Sequence, residues 1–238
     1  VKETQFPCGV WGKAPSSPCR EANVSVRQGA KRDLTHAKLV LPNMRQMFYC
    51  FRRKHLITNR HIVVDMQRDF VSGALGSEQA RAIVPAVAAR IRQAKAEQTQ
   101  VAFTLDTHEP DYLNTREGRF LPVPHCIRDT PGWALEPDIA KECAQGMISF
   151  AKPTFGSAAL CEYVRTLAKE KGAADGKGFC VELCGVCTDI CVVSNALLLK
   201  AALPEADFIV NGALCAGVTP QKHEAALETM RSCQIEVR

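Results

Sequence analysis

Four cysteines lie within twelve residues of this chain, in the segment CVELCGVCTDIC that begins at Cys180. Cys180, Cys184 and Cys187 have the spacing C-x3-C-x2-C of a radical-type iron–sulfur site, so a cluster is the first chemistry to consider. Nucleophilic catalysis is the second. Cys191 follows Thr188, a residue type that caps helices, and would fall in the first helical turn. There the helix dipole and free N–H groups lower the pKa of a thiol and can bind an oxyanion.

The cluster interpretation conflicts with the apolar run that contains the first two cysteines. Cys180 and Cys184 belong to GFCVELCGV, which predicts a buried strand. At the rise of a strand, residues four apart are separated by roughly 13 Å. Their thiolates could meet at one cluster only if the strand dissolved. We therefore predict that both are core residues, and that Cys191 is the nucleophile.

Ionisable side chains also end three other predicted strands. Asp65 follows HIVV, Asp106 and His108 follow QVAFTL, and Lys152 ends MISFAK. Each has an ordinary explanation by itself, as a helix cap, a loop residue or a surface charge. The carboxyl ends of parallel strands meet at one edge, however, where ligands bind. Asp65 could there take the proton of Cys191 and return it to a leaving amine, while Lys152 stabilises the ionised forms.

The elements that would position these groups alternate regularly from residue 61 onward. Six short apolar strands alternate with helices, and Ser77, Ser157, Thr188 and Thr219 are the predicted N-caps. Apolar strands separated by helices indicate a parallel sheet covered on both faces. We predict an α/β fold, a doubly wound and mainly parallel six-stranded sheet with helices on both faces, as in a Rossmann-like three-layer sandwich.

The charge is unevenly distributed along the chain. Residues 1–60 contain twelve Lys and Arg against three Asp and Glu, a formal charge of +9, which leaves −4 for residues 61–238. We expect residues 1–60 to be a disordered or non-native basic extension, and residues 61–238 to be one domain. The acidic body argues against nucleic-acid binding. No apolar run is long enough to span a membrane. The twelve cysteines lie mostly in apolar runs, which fits the cytoplasm.

Three motifs give the body a family resemblance. VVDMQRDF, FAKPTFGS and GVCTDICVVSNA resemble, in order, the motifs of the isochorismatase-like cysteine hydrolases, and among them the nicotinamidase-type amidohydrolases, over essentially all of residues 61–238. The resemblance implies a catalytic triad of Asp65, Lys152 and Cys191. It also implies an oxyanion hole made by the N–H groups of Cys187 and Cys191, with a cis peptide bond before Cys187.

A divalent metal ion is also implied by this resemblance, with Asp106, His108 and His125 as ligands. Two histidines and a carboxylate form a common ligand set for zinc, with iron or manganese as alternatives. From the residues alone, Asp106 and His108 could simply end a strand. Some relatives have a further histidine or an aromatic residue shortly before the last ligand; this chain has neither, which weakens nicotinamide as the substrate. Phe70 and Trp133 are candidates for aromatic pocket walls.

The predicted activity is hydrolysis of a small amide through a thioester on Cys191, with nicotinamide, converted to nicotinate and ammonia, as the first candidate. An N-carbamoyl or ureido compound is the alternative substrate for the same triad. Cleavage of isochorismate is disfavoured because it does not need the cysteine. A non-catalytic member that serves as a small-molecule binding or assembly module is the alternative of a different class. The resemblance also implies a homo-oligomer.

Overall fold

A six-stranded sheet forms the centre of the part of the chain that the structure describes. The computed structural model describes residues 60–143 and 148–238, so the prediction for residues 1–60 lies outside the described residues except at Arg60. The strands are β1 (Arg60–Val64), β2 (Gln100–Asp106), β3 (Ile148–Lys152), β4 (Cys180–Val186), β5 (Asp207–Ala216) and β6 (Glu236–Val237). Their order is β3-β2-β1-β4-β5-β6, and every neighbouring pair is parallel.

Seven described α-helices connect or flank the strands. They are α1 (Arg68–Val71), α2 (Glu78–Ala96), α3 (Arg116–Phe120), α4 (Pro137–Ala140), α5 (Ala158–Glu170), α6 (Val193–Ala202) and α7 (Pro220–Ser232). A 3-10 turn at Tyr112–Asn114 and a π-helical turn at Thr188–Val192 complete the described elements. Among the helices, α2 packs with α4, while α5, α6 and α7 pack in a row. None of the described helices is long and apolar enough to cross a membrane.

The strand order reverses between β1 and β4. The chain moves outward in one direction through β1, β2 and β3, and in the other through β4, β5 and β6. Right-handed crossovers then place helices on both faces of the sheet. Every residue of β1 and β4 is accordingly buried, and the two strands are apolar apart from Arg60, His61 and Glu182. The predicted doubly wound fold is confirmed, and the sheet is parallel throughout.

Three of the four predicted N-cap residues cap their helices. Ser77, Ser157 and Thr219 each accept a hydrogen bond from a backbone N–H three residues later, as predicted. The prediction for Thr188 is wrong. Cys187 is the N-cap residue, and its carbonyl accepts from the N–H of Val192 in a π-helical turn. The Thr188 hydroxyl instead forms a 2.8 Å hydrogen bond with His223 Nδ1 on α7.

Candidate active site

The carboxyl ends of β1, β3 and β4 bring the three predicted triad residues together. The ammonium of Lys152, the last residue of β3, lies 2.7 Å from Asp65 Oδ2 and 3.5 Å from Cys191 Sγ. It also donates to Asp106 Oδ1 at 3.0 Å. All four side chains are at least nine-tenths buried. Lysines are rarely buried unless they are paired with opposite charges. Lys152 therefore serves to balance the charges of the site and is not an ordinary surface lysine.

Asp65 lies directly after β1, in the place where the strand order reverses. Its φ is +48°, a left-handed backbone conformation that is rare for a residue other than glycine and that concentrates at functional sites. Thr104 on β2 donates to Asp65 Oδ1 at 2.7 Å. The hydroxyl and the Lys152 ammonium therefore hold the two carboxyl oxygens from different sides, and fix the direction in which the acid can exchange a proton.

Cys191 is held within the π-helical turn by a residue that the sequence analysis missed. The buried Asn195 amide donates to the carbonyl of Cys191 at 2.8 Å and to that of Phe155 at 3.1 Å. Its carbonyl oxygen accepts the N–H of Ser157 at 2.9 Å. Asn195 thereby ties the cysteine turn to the loop after β3 that carries Lys152. A lone asparagine in the apolar run VVSNALLL was the available signal.

Burial changes the expected ionisation of the cysteine. It raises the pKa of Cys191 well above the usual range, and the Asp65 carboxylate raises it further, although Lys152 acts in the opposite direction. The sequence-based expectation of a lowered thiol pKa at a helix start is therefore wrong. Desolvation also raises the pKa of Asp65, against the attraction of Lys152. A neutral thiol beside a carboxylate of raised pKa is suited to proton transfer between the two.

The predicted metal ligands form a second group beside the triad. Asp106 ends β2, and its Oδ2 lies 3.0 Å from His108 Nε2 and 3.4 Å from His125 Nε2. His125 Nδ1 pairs with the carbonyl of Val123 at 2.8 Å, which leaves Nε2 directed at Asp106. Orientation of a histidine through its second nitrogen is characteristic of metal sites.

Glu117 is a fourth member of this group, and the sequence analysis did not include it. Ligand atoms of Asp106, His108, Glu117 and His125 all lie within 4.8 Å of one another. Glu117 Oε1 is 3.8 Å from His108 Nε2 and 3.9 Å from His125 Nε2. Glu117 belongs to α3, a short helix inside the long loop after β2. The loop sequence contains several acidic residues, and no spacing rule distinguished this one.

The electrostatics of this group favour a cation. Burial raises the pKa of Glu117, and the neighbouring Asp106 carboxylate raises it further. Burial alone would also raise the pKa of Asp106, but hydrogen bonds with His108 and His125 hold it below its usual range. Two carboxylates and two imidazole nitrogens within contact distance are compatible with a divalent ion, which would offset the repulsion between the acids. The residues present therefore fit the implied metal.

Two further side chains fix the backbone around these ligands. The Gln67 amide clamps Asp106 from both sides, because its oxygen accepts the N–H of Asp106 at 2.7 Å and its nitrogen donates to the carbonyl of Asp106 at 2.9 Å. Asp69 accepts the N–H of Cys126, next to His125, at 2.7 Å. Both belong to the motif VVDMQRDF, so the segment that supplies Asp65 also positions the ligand loop.

A cavity of about 410 Å³ lies beside Cys191 and part of the ligand group. Cys191, Asp106, Glu117 and His125 line it, together with mostly apolar side chains. Phe70, one of the two candidate pocket walls, is among these, and its contact with a substrate stays a prediction. Trp133 is not among the lining residues, and its indole N–H donates to the Thr107 hydroxyl at 2.9 Å. The volume is within the range typical of small-molecule sites.

The expected cis peptide bond is present between Val186 and Cys187. The carbonyl of Cys187 accepts hydrogen bonds from the N–H groups of Ile190 and Val192, at 3.1 and 3.0 Å. Cys187 and Cys191 both line the cavity. Their assignment as oxyanion-hole donors stays a prediction.

The isochorismatase domain family matches residues 60–238 of the chain. No curated protein sequence matches it significantly. Among solved structures, the chain is similar to the pyrazinamidase of Pyrococcus horikoshii in complex with zinc, with 28% identity and a TM-score of 0.62 over 75% of this chain and 97% of that one.

Two further structures have the same fold. The nicotinamidase/pyrazinamidase of Bacillus subtilis is 25% identical, with a TM-score of 0.64 over 76% of this chain and 98% of that one. The N-carbamoylsarcosine amidase of Thermoplasma acidophilum is 20% identical, with a TM-score of 0.59 over 76% of this chain and 95% of that one. The second likeness extends to the fold alone.

Proposed function

Because the chain belongs to the isochorismatase family, we propose that it is a cysteine amidohydrolase that cleaves a small carboxamide through a thioester on Cys191. The observation that carries the proposal is the buried contact of Lys152 with both Asp65 and Cys191, at the edge of a cavity large enough for such a substrate. A binding or assembly module has no need for a buried acid, cation and thiol in contact beside its pocket.

The first half of the reaction uses Asp65 as the base. It takes the proton of the Cys191 thiol, and the thiolate attacks the carbonyl carbon of the amide, so that a carbon–sulfur bond forms and the carbonyl electron pair moves to oxygen. The N–H groups of Cys187 and Cys191 would stabilise this oxyanion. When it collapses, the carbon–nitrogen bond breaks and Asp65 protonates the departing nitrogen. Ammonia leaves, and the thioester remains.

The second half returns the enzyme to its starting state. Asp65 takes a proton from water, the resulting hydroxide attacks the thioester carbon, and the Cys191 thiolate departs. The thiolate then recovers the proton from Asp65. Throughout, the Lys152 ammonium offsets whichever of Asp65 and Cys191 is negative. Asp106, His108, Glu117 and His125 would hold a divalent ion, zinc in the first instance with iron or manganese as alternatives, which supplies Lewis-acid polarisation when bound.

Nicotinamide is the first proposed substrate, with nicotinate and ammonia as products. The solved relatives described as nicotinamidase or pyrazinamidase support an aromatic carboxamide, as do Phe70 and the largely apolar cavity. An N-carbamoyl or ureido compound is the second candidate. It presents a similar carbonyl to Cys191, and the absence of an aromatic residue directly before His125 counts against nicotinamide. A homo-oligomer and a cytoplasmic location stay predictions.

The test is ammonia release from nicotinamide and from a panel of ureido compounds by the zinc-loaded protein. We expect turnover that Cys191→Ala abolishes while the thermal unfolding midpoint stays close to that of the parent. Cys233→Ala is the matched control, because Cys233 is exposed and follows α7, and it should turn over like the parent. Turnover that survives Cys191→Ala would remove the nucleophile assignment, and no turnover of any panel member would count against the amidohydrolase proposal.

A further inference from the structure

The cavity has chemically different sides, because its walls come from strands on both sides of the central pair β1 and β4. Asp106 ends β2, while Ala216 ends β5, and in the sheet β1 and β4 lie between these strands. At the usual spacing of strands, β2 and β5 are roughly 14 Å apart. The β2 side carries the carboxylates of Asp106 and Glu117. The β5 side therefore contacts whatever part of a substrate points away from the ligand group.

Hydrogen-bond donors dominate the polar part of the β5 side. Lys222 lines the cavity from the first turn of α7, and among the described residues no carboxylate forms an ion pair with its ammonium. Ser77 lines it from the start of α2. The Ser77 oxygen already accepts the N–H of Ala80 at 3.0 Å, so its O–H is left to donate to a ligand.

The helix dipoles act in the same direction. α2 has 19 residues and α7 has 13, and both begin at this wall of the cavity. The N-terminus of a helix carries partial positive charge, which favours an anion next to it. The remaining lining of this side is apolar and includes Leu75, Ala216 and Val218. Lys222, the Ser77 hydroxyl and two helix starts thus border one mostly apolar compartment. The Asp189 carboxylate also lies at this wall, where it accepts the N–H of Val218 at 2.9 Å.

We propose that this wall binds a carboxylate of the substrate, so that the preferred substrates are carboxamides or ureido compounds with an anionic group at the end remote from the scissile bond. The inference rests on the proposed function for the orientation of the substrate, because the amide must lie at Cys191. Lys222 is the specificity-determining residue. A neutral amide such as nicotinamide offers this ammonium no carboxylate partner.

The test measures binding separately from turnover. The ligands are 5-carbamoylpyridine-3-carboxylate and its methyl ester, which differ in charge at one position. Their dissociation constants are measured by calorimetry on the zinc-loaded Cys191→Ala protein, which cannot consume them. We expect the carboxylate to bind about tenfold more tightly than the ester, as for one charge-assisted contact. This ratio should fall as the ionic strength rises, because Lys222 is exposed.

Two lysine variants, made in the Cys191→Ala background, test whether Lys222 causes the difference between the two dissociation constants. Lys222→Met should reduce the ratio of the two dissociation constants to about one, while Lys169→Met, which removes an exposed lysine on α5 outside the cavity, should leave it unchanged. A ratio near one before any lysine is changed would overturn the inference, and so would a ratio that survives Lys222→Met. A failure of the proposed function would appear in a different measurement, because the parent protein would then release no ammonia.

Discussion

The charges of a few buried side chains determine what the active site can bind. Lys152 is the one buried ammonium among the described residues, and it contacts the carboxylates of both Asp65 and Asp106. Burial alone would lower the pKa of Lys152, but Asp65, Cys191 and Asp106 together raise it, so the lysine stays charged. When Asp65, Asp106 and Glu117 are all ionised, one ammonium does not offset their charge. The excess negative charge lies on the side of the histidines, where a cation would bind.

Substitution of Glu117 tests whether the carboxylates beside the histidines bind a cation. Glu117→Gln keeps the size of the side chain and removes the charge, so we expect zinc affinity to fall about tenfold or more. The dissociation constant is measured by competition with a chromophoric chelator. Glu109→Gln is the matched control, because Glu109 lies in the same loop but is exposed and pairs with Arg128 at 2.9 Å. Equal zinc affinity in the two variants would exclude Glu117 as a ligand.

The close approach of β4 to β1 sets the position of the π-helical turn Thr188–Val192 that contains Cys191. Gly185 pairs with Val64 in this part of the sheet, and a Cβ atom on Gly185 would lie 2.1 Å from the carbonyl oxygen of Val64. The φ of Gly185 is +122°, a conformation that side chains rarely adopt. Glycine is therefore required at the residue that precedes the Val186–Cys187 peptide, and β1 and β4 can carry Asp65 and Cys191 side by side.

Gly185→Ala should consequently destabilise the fold by more than about 3 kcal/mol, because backbone strain and a clash with another backbone act together. Gly172→Ala is the control that separates the two effects. Gly172 has a φ of +75°, but a Cβ atom there would meet nothing within 4 Å, so only the backbone cost of about 1 kcal/mol is expected. Urea unfolding monitored by circular dichroism gives both values. Similar losses for the two variants would contradict a special role for the β1–β4 contact.

Features that depend on neighbouring residues were predictable from the sequence. Features that depend on contacts between residues far apart in the chain were not. Ser77, Ser157 and Thr219 cap helices as predicted, because a cap depends on the next three residues. The hydroxyl of Thr188 has a competing partner on α7, 35 residues away, which no local pattern contains. Period and strand length likewise predicted the strands, since both are local properties.

The residues of the candidate site also include some that the sequence could place and some that it could not. Asp65, Lys152 and Cys191 could be placed together because each ends or follows a strand of a parallel sheet, where topology decides proximity. Glu117 could not, because it lies in a loop whose path depends on packing against the rest of the domain. The pKa of Cys191 was predicted in the wrong direction for a related reason: the helix start is a local feature, but the burial that dominates the pKa comes from the whole structure.

For the whole molecule, a second buried ionisable group lies away from the site. His61 on β1 is fully buried, 3.8 Å from Glu182 and 3.6 Å from the sulfur of Cys184. Arg90 on α2 holds Glu182 with a 2.6 Å ion pair. Desolvation by burial lowers the pKa of His61 to about 4, against the attraction of Glu182 and with a smaller contribution from Arg90 in the same direction. His61 is therefore neutral in the folded protein at physiological pH.

Acid should destabilise the protein through this histidine. Its pKa is about 4 when folded and 6.5 in the unfolded chain, so between these values the unfolded state binds the additional proton. Stability is then lost as the pH falls from 6.5 towards 4, and His61 contributes no pH dependence above about pH 7.5. From the two pKa values, we expect a loss of about 2 kcal/mol between pH 7.5 and pH 5 from this residue.

The comparison that isolates this effect is His61→Gln, which keeps a buried polar side chain that cannot be protonated in this range. Free energies of unfolding in urea are measured for both proteins at pH 7.5 and pH 5. The other titrating groups are shared, so the parent should lose about 2 kcal/mol more than the variant over this interval. Parallel pH dependence of the two proteins would mean that the fold accommodates a charged His61, with Glu182 as its counter-ion. In that case the Glu182–Arg90 pair would have to release part of its interaction to stabilise the imidazolium, and the network would bind α2 to the sheet less tightly in acid.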